Sequence, residues 1–145
     1  MATILIVDGD ENAHWLYRCL FEPERFRVLV AGTKEEAAEM AADSEIDLVI
    51  ADSNVPGLSL MDHLALFCER DIPVIVRTAD DDPPEDIPVW LPEAWLTKTS
   101  DSWHLTRAVA EALMKKKERE TASLWAASPS LFSELDWWMF GAADN

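Results

Sequence analysis

The sequence predicts an α/β fold in which a five-stranded parallel sheet is covered by helices on both faces. Short apolar runs rich in β-branched residues alternate with amphipathic helical segments along most of the 145-residue chain. The runs are nearly continuous in apolar residues, as expected for parallel strands buried on both sides. Polar residues directly follow several of these runs, and open parallel sheets bind their ligands beyond that edge.

Five segments have the length and composition of strands. They are too short for helices, and glycine, proline or charged residues bound them. The predicted strands are residues 3–8, 26–31, 46–51, 73–77 and 94–97. Because crossovers between parallel strands are right-handed, all the strands end at one edge of the sheet.

Four segments have the 3.6-residue periodicity of amphipathic helices. The first begins after the capping residue Asp10 and ends before Pro23, the second covers residues 34–42, the third follows Ser59 and the fourth follows Asp101. The residues predicted to face the core are Ala13, Leu16, Tyr17 and Leu20 in the first helix, Leu60, Leu64 and Phe67 in the third, and Leu105, Val109, Ala112 and Leu113 in the fourth.

Residues 79–92 interrupt the alternation. This stretch contains four prolines and five acidic residues, and it has no basic residue. An interior proline costs a helix about 3 kcal/mol, so no stable helix is expected between the fourth and fifth strands.

The composition excludes several classes of protein. With 12 basic and 28 acidic residues the net charge is −16, which disfavours binding to a nucleic-acid backbone. No segment has the length of a membrane span or the pattern of a signal peptide, so we expect a soluble cytoplasmic protein that does not bind membranes. Cys19 and Cys68 lack the spacing of metal or redox sites, which predicts buried or idle thiols. His63 and His104 are predicted to be ordinary residues of helix surfaces.

The last residues, 120–145, form a tail beyond the predicted domain, which covers residues 1–119. Pro129 breaks the preceding helix, and Ser130 caps a new helix that Gly141 ends. Its apolar face consists of Leu131, Leu135, Trp138 and Met139. A helix this short needs a partner, which is its own domain, a second copy bound through residues 130–140, or a groove in another protein. From the length of this tail we expect no separate output domain.

Polar residues at the predicted strand ends form a group with its own chemistry. They are Asp8, Gly9 and Asp10 after the first strand, Asp52 after the third, Thr78 after the fourth and Lys98 after the fifth. Crowded carboxylates raise one another's pKa unless a cation lies between them, which suggests Mg²⁺ held by oxygen ligands. A carboxylate beside Mg²⁺ can attack a phosphoryl group to give an aspartyl phosphate.

Four segments around these residues, ILIVDGDEN, DLVIADSNVPG, PVIVRTA and AWLTKT, resemble the receiver domain of two-component response regulators over about residues 2–114. The resemblance implies a flavodoxin-like sheet with strand order 2-1-3-4-5, to which the pattern of the last residues adds a C-terminal helical tail. Residues 79–92 stand where the family has its fourth helix, which is therefore expected to be short or missing.

The same resemblance assigns roles to single residues. It implies that Asp52 is the phosphoacceptor, that Lys98 pairs with the phosphoryl group and that Thr78 supplies the switch hydroxyl. Trp95 matches the switch aromatic. The implied Mg²⁺ ligands are Asp8, Asp52, the backbone carbonyl of Asn54 and, as a possible substitute, Asp10.

The implied function is phosphorelay signalling and not enzymatic turnover. A sensor histidine kinase or a phosphotransfer protein would donate the phosphoryl group, and an unidentified downstream protein would respond. His14 and Trp15 lie on the first helix, where such a donor docks on receivers; an exposed and a partly buried Trp15 are equally compatible with the sequence.

Three positions depart from the family pattern. Gly9 replaces an acidic metal ligand, which predicts weak Mg²⁺ binding, and Thr99 replaces a proline whose cis peptide bond shapes the loop after the lysine. Residues 79–92 are the third departure. They lie on the face through which many receivers signal, so an unchanged output surface is not expected.

Two alternatives to phosphorylation at Asp52 remain open at this point. A degenerate receiver would signal by protein binding without phosphorylation. The sequence Asp8-Gly9-Asp10 also resembles the nucleophile motif of haloacid dehalogenase-type phosphatases, in which Asp8 would be the nucleophile.

Overall fold

A five-stranded, fully parallel sheet lies at the centre of the computed structural model. The structure describes residues 1–53, 60–79, 92–98 and 101–127, and the side chains of residues 60–63, 66 and 127 are left undescribed. The strands are β1 (Thr3–Val7), β2 (Arg27–Ala31), β3 (Leu48–Asp52), β4 (Val74–Thr78) and β5 (Ala94–Thr97). Their order across the sheet is β2-β1-β3-β4-β5, which confirms the predicted fold.

In the described part of the chain, four helices connect or follow the strands at nearly the predicted positions. They are α1 (Glu11–Phe21), α2 (Lys34–Asp43), α3 (Leu60–Glu69) and α4 (Ser102–Ala127), and a short 3₁₀ turn (Glu22–Glu24) follows α1. The predicted capping residue of the first helix is correct, because the Asp10 side chain accepts a hydrogen bond from the backbone N–H of Asn12. It satisfies one of the donors left free at a helix start.

The alternation of side chains along the strands builds two hydrophobic layers, one on each face of the sheet. On one face, Leu5 and Val7 pack with Leu64 and Phe67 of α3. On the other face, residues of four strands pack against α1 and the first half of α4. This second layer includes Ile4, Ile6, Leu48, Ile50, Ile75, Tyr17, Phe21, Leu105, Val109 and Ala112.

One burial prediction is wrong, and another is narrowed to one of its alternatives. Leu16 was predicted to face the core, but it is 60% exposed, because the buried stripe of α1 runs through Tyr17 and Phe21. Leu16 precedes Tyr17 by one residue, which turns it about 100° away from that stripe. Of the two alternatives for the thiols, buried or idle, burial is excluded, since Cys19 and Cys68 are both exposed. Each cysteine lies on a helix whose buried face is occupied by larger apolar side chains.

Several predictions concern residues outside the described part of the chain. They are the absence of a helix over most of residues 79–92, the metal-binding carbonyl of Asn54, the cap at Ser59, the loop at Thr99 and the tail helix after Ser130. The side chain of His63 is also outside it. The chain divides into two units, Met1–Leu113 and Met114–Asn145. Among the helices that the structure describes, none has the length and apolar composition needed to cross a membrane.

The start of α2 is held by a reciprocal pair of side-chain bonds. The Thr33 hydroxyl accepts from the backbone N–H of Glu36 at 3.2 Å, while the Glu36 carboxylate accepts from the backbone N–H of Gly32 at 3.0 Å. We expect Thr33→Ala to lower the free energy of unfolding by about 1 kcal/mol, because it removes a helix cap. Urea denaturation measures this loss. Thr33→Ser retains the cap hydroxyl and should stay close to the unaltered protein; an equal loss in both variants would contradict the capping role.

Candidate functional site

The carboxyl ends of four strands bring the sequence-predicted residues together. Asp8 follows β1, Asp52 is the last residue of β3, Thr78 is the last residue of β4 and Lys98 follows β5. Three of the four are buried: Asp8 is 1% exposed, Thr78 is 6% and Asp52 is 9%. A buried carboxylate is costly unless it is paired, so the partners of these two acids decide what the site can do.

Lys98 is the cation between the two buried carboxylates. Its Nζ donates to Oδ2 of Asp52 at 2.9 Å and lies 3.4 Å from Oδ2 of Asp8. The lysine side chain is 34% exposed, compared with 2% and 10% for the carboxylate side chains of Asp8 and Asp52. The ammonium group therefore lies between the buried acids and solvent.

The contacts of Lys98 shift the pKa of its ammonium group. Burial alone would lower the pKa of its ammonium group, but the hydrogen bond to Asp52 and the charges of Asp8 and Asp52 outweigh that effect and raise the pKa above its usual value. Lys98 is consequently a fixed positive charge at neutral pH. Such a charge can pair with the oxygens of a phosphoryl group bound at Asp52.

The backbone around Lys98 is fixed as firmly as its side chain. Thr97 pairs with Thr78 in the register of β4 and β5, and the backbone N–H of Lys98 donates to the carbonyl of Thr78 at 2.8 Å. The switch hydroxyl predicted at Thr78 and the predicted phosphoryl-pairing lysine therefore belong to one hydrogen-bonded strand end.

The loop after β1 holds Asp8 in place. Oδ1 of Asp8 accepts from the backbone N–H of Asp10 at 2.9 Å, and the carbonyl of Asp8 contacts the ring Nε2 of His14. One oxygen of the Asp10 carboxylate caps α1. Of the two roles considered for Asp10, the helix cap is confirmed, and the substitute metal ligand stays a prediction.

The described residues do not complete the magnesium site that the resemblance implies. Asp8 and Asp52 offer the carboxylate oxygens that Mg²⁺ prefers, but one oxygen of each already faces Lys98. Position 9 is a glycine and offers no carboxylate. Within the described residues no group of three or more candidate side chains is placed to hold a metal ion.

Two tryptophans that the sequence singled out lie in different environments. Trp15 is 66% exposed, which decides between the two alternatives for this residue. Trp95 is partly buried and packs against the hydrophobic layer that contains Phe67.

His104, which the sequence predicts on a helix surface, is exposed. It packs edge-to-face with Trp103.

Sequence reasoning missed two polar side chains beside the site, Arg77 and Tyr17. They line a cavity of about 510 Å³ that also reaches Asp8, Lys98 and Leu105. The sequence placed Arg77 only as the end of an apolar strand and Tyr17 only in an apolar stripe. The available signal was a single charged residue ending an otherwise apolar run, since buried arginines are rare unless they are paired.

The comparison with known protein families agrees with this geometry. The family described as the response regulator receiver domain matches residues 4–110. The chain belongs to the response regulator receiver domain family. Phosphorylation and Mg²⁺ binding are general features of these domains in two-component systems.

Individual receiver proteins resemble parts of the chain. The transcriptional regulatory protein CpxR of Escherichia coli K12 is 40% identical over 80 residues, which are 54% of this chain and 34% of CpxR. The match thus covers only about a third of that relative's length.

Solved receiver structures resemble the fold. The response regulator TrrA of Thermotoga maritima, solved in complex with Mg²⁺-BeF, is 26% identical, with a TM-score of 0.70 over 78% of this chain and 100% of TrrA. A receiver domain from Clostridium thermocellum is 27% identical, with a TM-score of 0.72 over 81% of this chain and 98% of that domain.

Proposed function

We propose that this receiver domain accepts a phosphoryl group on Asp52 from a phosphorylated histidine. The donor is a sensor histidine kinase or a phosphotransfer protein of a cytoplasmic phosphorelay. The observation that carries the proposal is the pairing of Asp52 with Lys98 at 2.9 Å, at the end of the central strand β3. The Asp52 side chain is 10% exposed, so it is open to a donor while Lys98 balances its charge.

The proposed transfer consists of one bond formed and one broken. An oxygen of Asp52 attacks the phosphorus, the P–N bond to the donor histidine breaks, and the imidazole nitrogen leaves with its electron pair. Lys98 stays protonated and pairs with a phosphoryl oxygen in place of its present bond to Asp52. The Thr78 hydroxyl then donates to another phosphoryl oxygen. No proton is consumed from these residues.

The proposed consequence is a change in protein contacts and not an enzymatic turnover. When the hydroxyl of Thr78 turns towards the phosphoryl group, the space beside it changes for Trp95, the proposed switch aromatic. A downstream protein would recognise the altered surface. We assign this role to residues 1–119, and we assign residues 120–145 to a tail that pairs two copies through residues 130–140.

Mg²⁺ binding is proposed to be weak, because Gly9 supplies no carboxylate. Neutralising charge at the acids then depends mainly on Lys98. The second candidate function is a degenerate receiver that signals by binding alone. The missing carboxylate at Gly9 favours this function too. Phosphorylation itself separates the two functions.

The test is phosphoryl uptake from acetyl phosphate, a donor that needs no partner protein. We expect the intact mass of the protein to increase by one phosphoryl group, with a rate that depends only weakly on millimolar MgCl₂. Matched samples with EDTA measure that dependence. Absence of any adduct at millimolar Mg²⁺, with acetyl phosphate or with beryllofluoride, would contradict the proposal and favour the degenerate receiver.

A further inference from the structure

Arg77 is a charged residue at the carboxyl end of a sheet face whose earlier positions are apolar, and its register partner on β3 is Asp52. It precedes Thr78 on β4, and the side chain two residues earlier, Ile75, packs in the hydrophobic layer with Tyr17 and Leu105. Since alternate strand residues share a face, the Arg77 side chain lies on the side of α1 and α4. It is half-buried there and lines the 510 Å³ cavity.

The guanidinium group of Arg77 connects three elements of the fold. Its Nη2 donates to the backbone carbonyl of Thr97 at 3.1 Å, and its Nη1 lies 3.4 Å from the Tyr17 hydroxyl on α1. The guanidinium carbon is also 5.9 Å from the centre of the Tyr17 ring, within reach of a cation–π contact. Arg77 therefore bridges β4, the end of β5 and α1.

The hydrogen bond from Arg77 to the Thr97 carbonyl acts directly beside Lys98, the cation of the site. Thr97 directly precedes Lys98, so its carbonyl belongs to the peptide unit that contains the Lys98 N–H. That N–H donates to the carbonyl of Thr78. The peptide unit between Thr97 and Lys98 is thus held at one end by Arg77 and at the other by Thr78.

The position of Arg77 has a cost in stability. Nε of Arg77 is buried and has no hydrogen-bond acceptor among the described residues. A buried donor left unpaired lowers stability, and an apolar side chain of similar size would avoid that cost on this face. The presence of an arginine here indicates a role for the contacts that its other nitrogens make.

We propose that Arg77 is a positioning residue for Lys98. By fixing the carbonyl of Thr97 to β4 and α1, it sets the point from which the lysine side chain reaches Asp52 and Asp8. The proposal rests on the proposed function only in treating Lys98 as the group that pairs with a phosphoryl oxygen; the placement of Lys98 itself is measurable without phosphorylation.

Hydrogen exchange of the Lys98 amide tests the positioning directly. We expect Arg77→Leu to increase the exchange rate of this amide about tenfold, the effect of losing one bond from a charged donor, while the amides of β1 and β3 are unchanged. Leucine resembles Ile75, which packs two residues earlier on the same strand face, so the variant is expected to fold. Unchanged exchange at Lys98 would overturn the proposal, and so would an equal increase throughout the sheet.

Arg70→Leu is the matched control. Arg70 also donates from its guanidinium to a backbone carbonyl, that of Ala41 at 2.7 Å, but it lies at the end of α3, away from β5. We expect this variant to leave the Lys98 amide unchanged. If both variants accelerate exchange at Lys98 equally, the effect comes from general destabilisation and the proposal is wrong.

The contact between Arg77 and Tyr17 has its own readout, because Tyr17 is the only tyrosine in the chain. Burial raises its pKa above the usual value of 10.0, and the charge of Arg77 partly opposes that increase. Ultraviolet titration of Arg77→Leu should therefore give a higher tyrosine pKa than the unaltered protein, whereas Arg77→Lys should lie closer to it. No difference between the Arg77→Leu variant and the unaltered protein would contradict the contact on which the proposal depends.

Phosphoryl uptake links the placement of Lys98 to function. With acetyl phosphate as donor, Arg77→Leu should take up the phosphoryl group about tenfold more slowly, in parallel with its amide exchange. Uptake at the unaltered rate despite faster exchange would overturn the positioning role. If the unaltered protein takes up no phosphoryl group, the proposed function fails, and the exchange rates of Lys98 alone decide about Arg77.

Discussion

Asp52→Asn is expected to abolish phosphoryl uptake, with a fall of at least about a hundredfold to the background of the assay. The amide of asparagine is close to the carboxylate in shape but is not a nucleophile at neutral pH. Lys98 keeps an oxygen to bond to, so the strand ends should remain in place. Intact-mass measurement after incubation with acetyl phosphate gives the occupancy, and circular dichroism confirms that the variant is folded.

Two other aspartates provide controls for this prediction. Asp10→Asn should take up phosphoryl groups normally, because asparagine caps a helix as well as aspartate does. Asp8→Asn keeps the nucleophile and should reduce uptake without abolishing it. If uptake or phosphatase turnover survives Asp52→Asn and is lost in Asp8→Asn, the nucleophile is Asp8, as in a haloacid dehalogenase-type phosphatase, and the receiver mechanism is wrong.

Lys98→Met is expected to damage both stability and uptake. It leaves Asp8 and Asp52 buried without the cation that pairs with both of them. Removing one partner of a buried pair costs about 3–5 kcal/mol, and we expect about 2 kcal/mol here because the lysine side chain is 34% exposed. Phosphoryl uptake should fall by about a hundredfold, since the charge that pairs with the phosphoryl group is gone.

The pH dependence of that stability difference has a definite sign. The folded-state pKa of Lys98 is raised, so its stabilisation is fully present below the unfolded value of about 10.4 and is lost as pH rises through the folded value. Urea denaturation should therefore show a large difference at pH 7 that narrows in strongly alkaline solution. Lys115→Met removes an exposed lysine and should show no such difference. A difference that is constant with pH would contradict the ion-pair explanation.

The sequence predicted the framework of the site well for a simple physical reason. Buried parallel strands must be apolar along their length, so the first polar residue after each run marks the edge of the sheet. That rule places Asp8 and Lys98 directly after their strands, whereas Asp52 and Thr78 are themselves the last residues of β3 and β4. Their roles came from the resemblance to receivers, because spacing alone does not say which carboxylate reacts.

Contacts that depend on tertiary geometry were not predictable in this way. Arg77 was assigned to a strand, but its bonds to Thr97 and Tyr17 require the crossing of β4, β5 and α1. The exposure of Leu16 depends on where α1 sits on the sheet, and a periodicity with several apolar positions does not fix that rotation.

The site has one carboxylate fewer than the family pattern predicts. Two buried carboxylates are matched by one bridging lysine, and glycine stands where a third carboxylate is expected from the family pattern. Fewer negative charges require less positive charge to neutralise them, so the dependence on a divalent cation should be weaker. Of the two buried acids, Asp52 lies on the central strand β3, and Asp8 follows β1.

Peptide mapping of the phosphorylated protein is the most direct test of the central claim. After incubation with acetyl phosphate, the acyl phosphate is trapped by reduction, and mass spectrometry of the digested protein locates the modified residue. We predict modification at Asp52 alone, with Asp8 and Asp10 unmodified. Modification at Asp8 in place of Asp52, or none in either residue at millimolar Mg²⁺, would contradict the assignment of Asp52 as the phosphoacceptor.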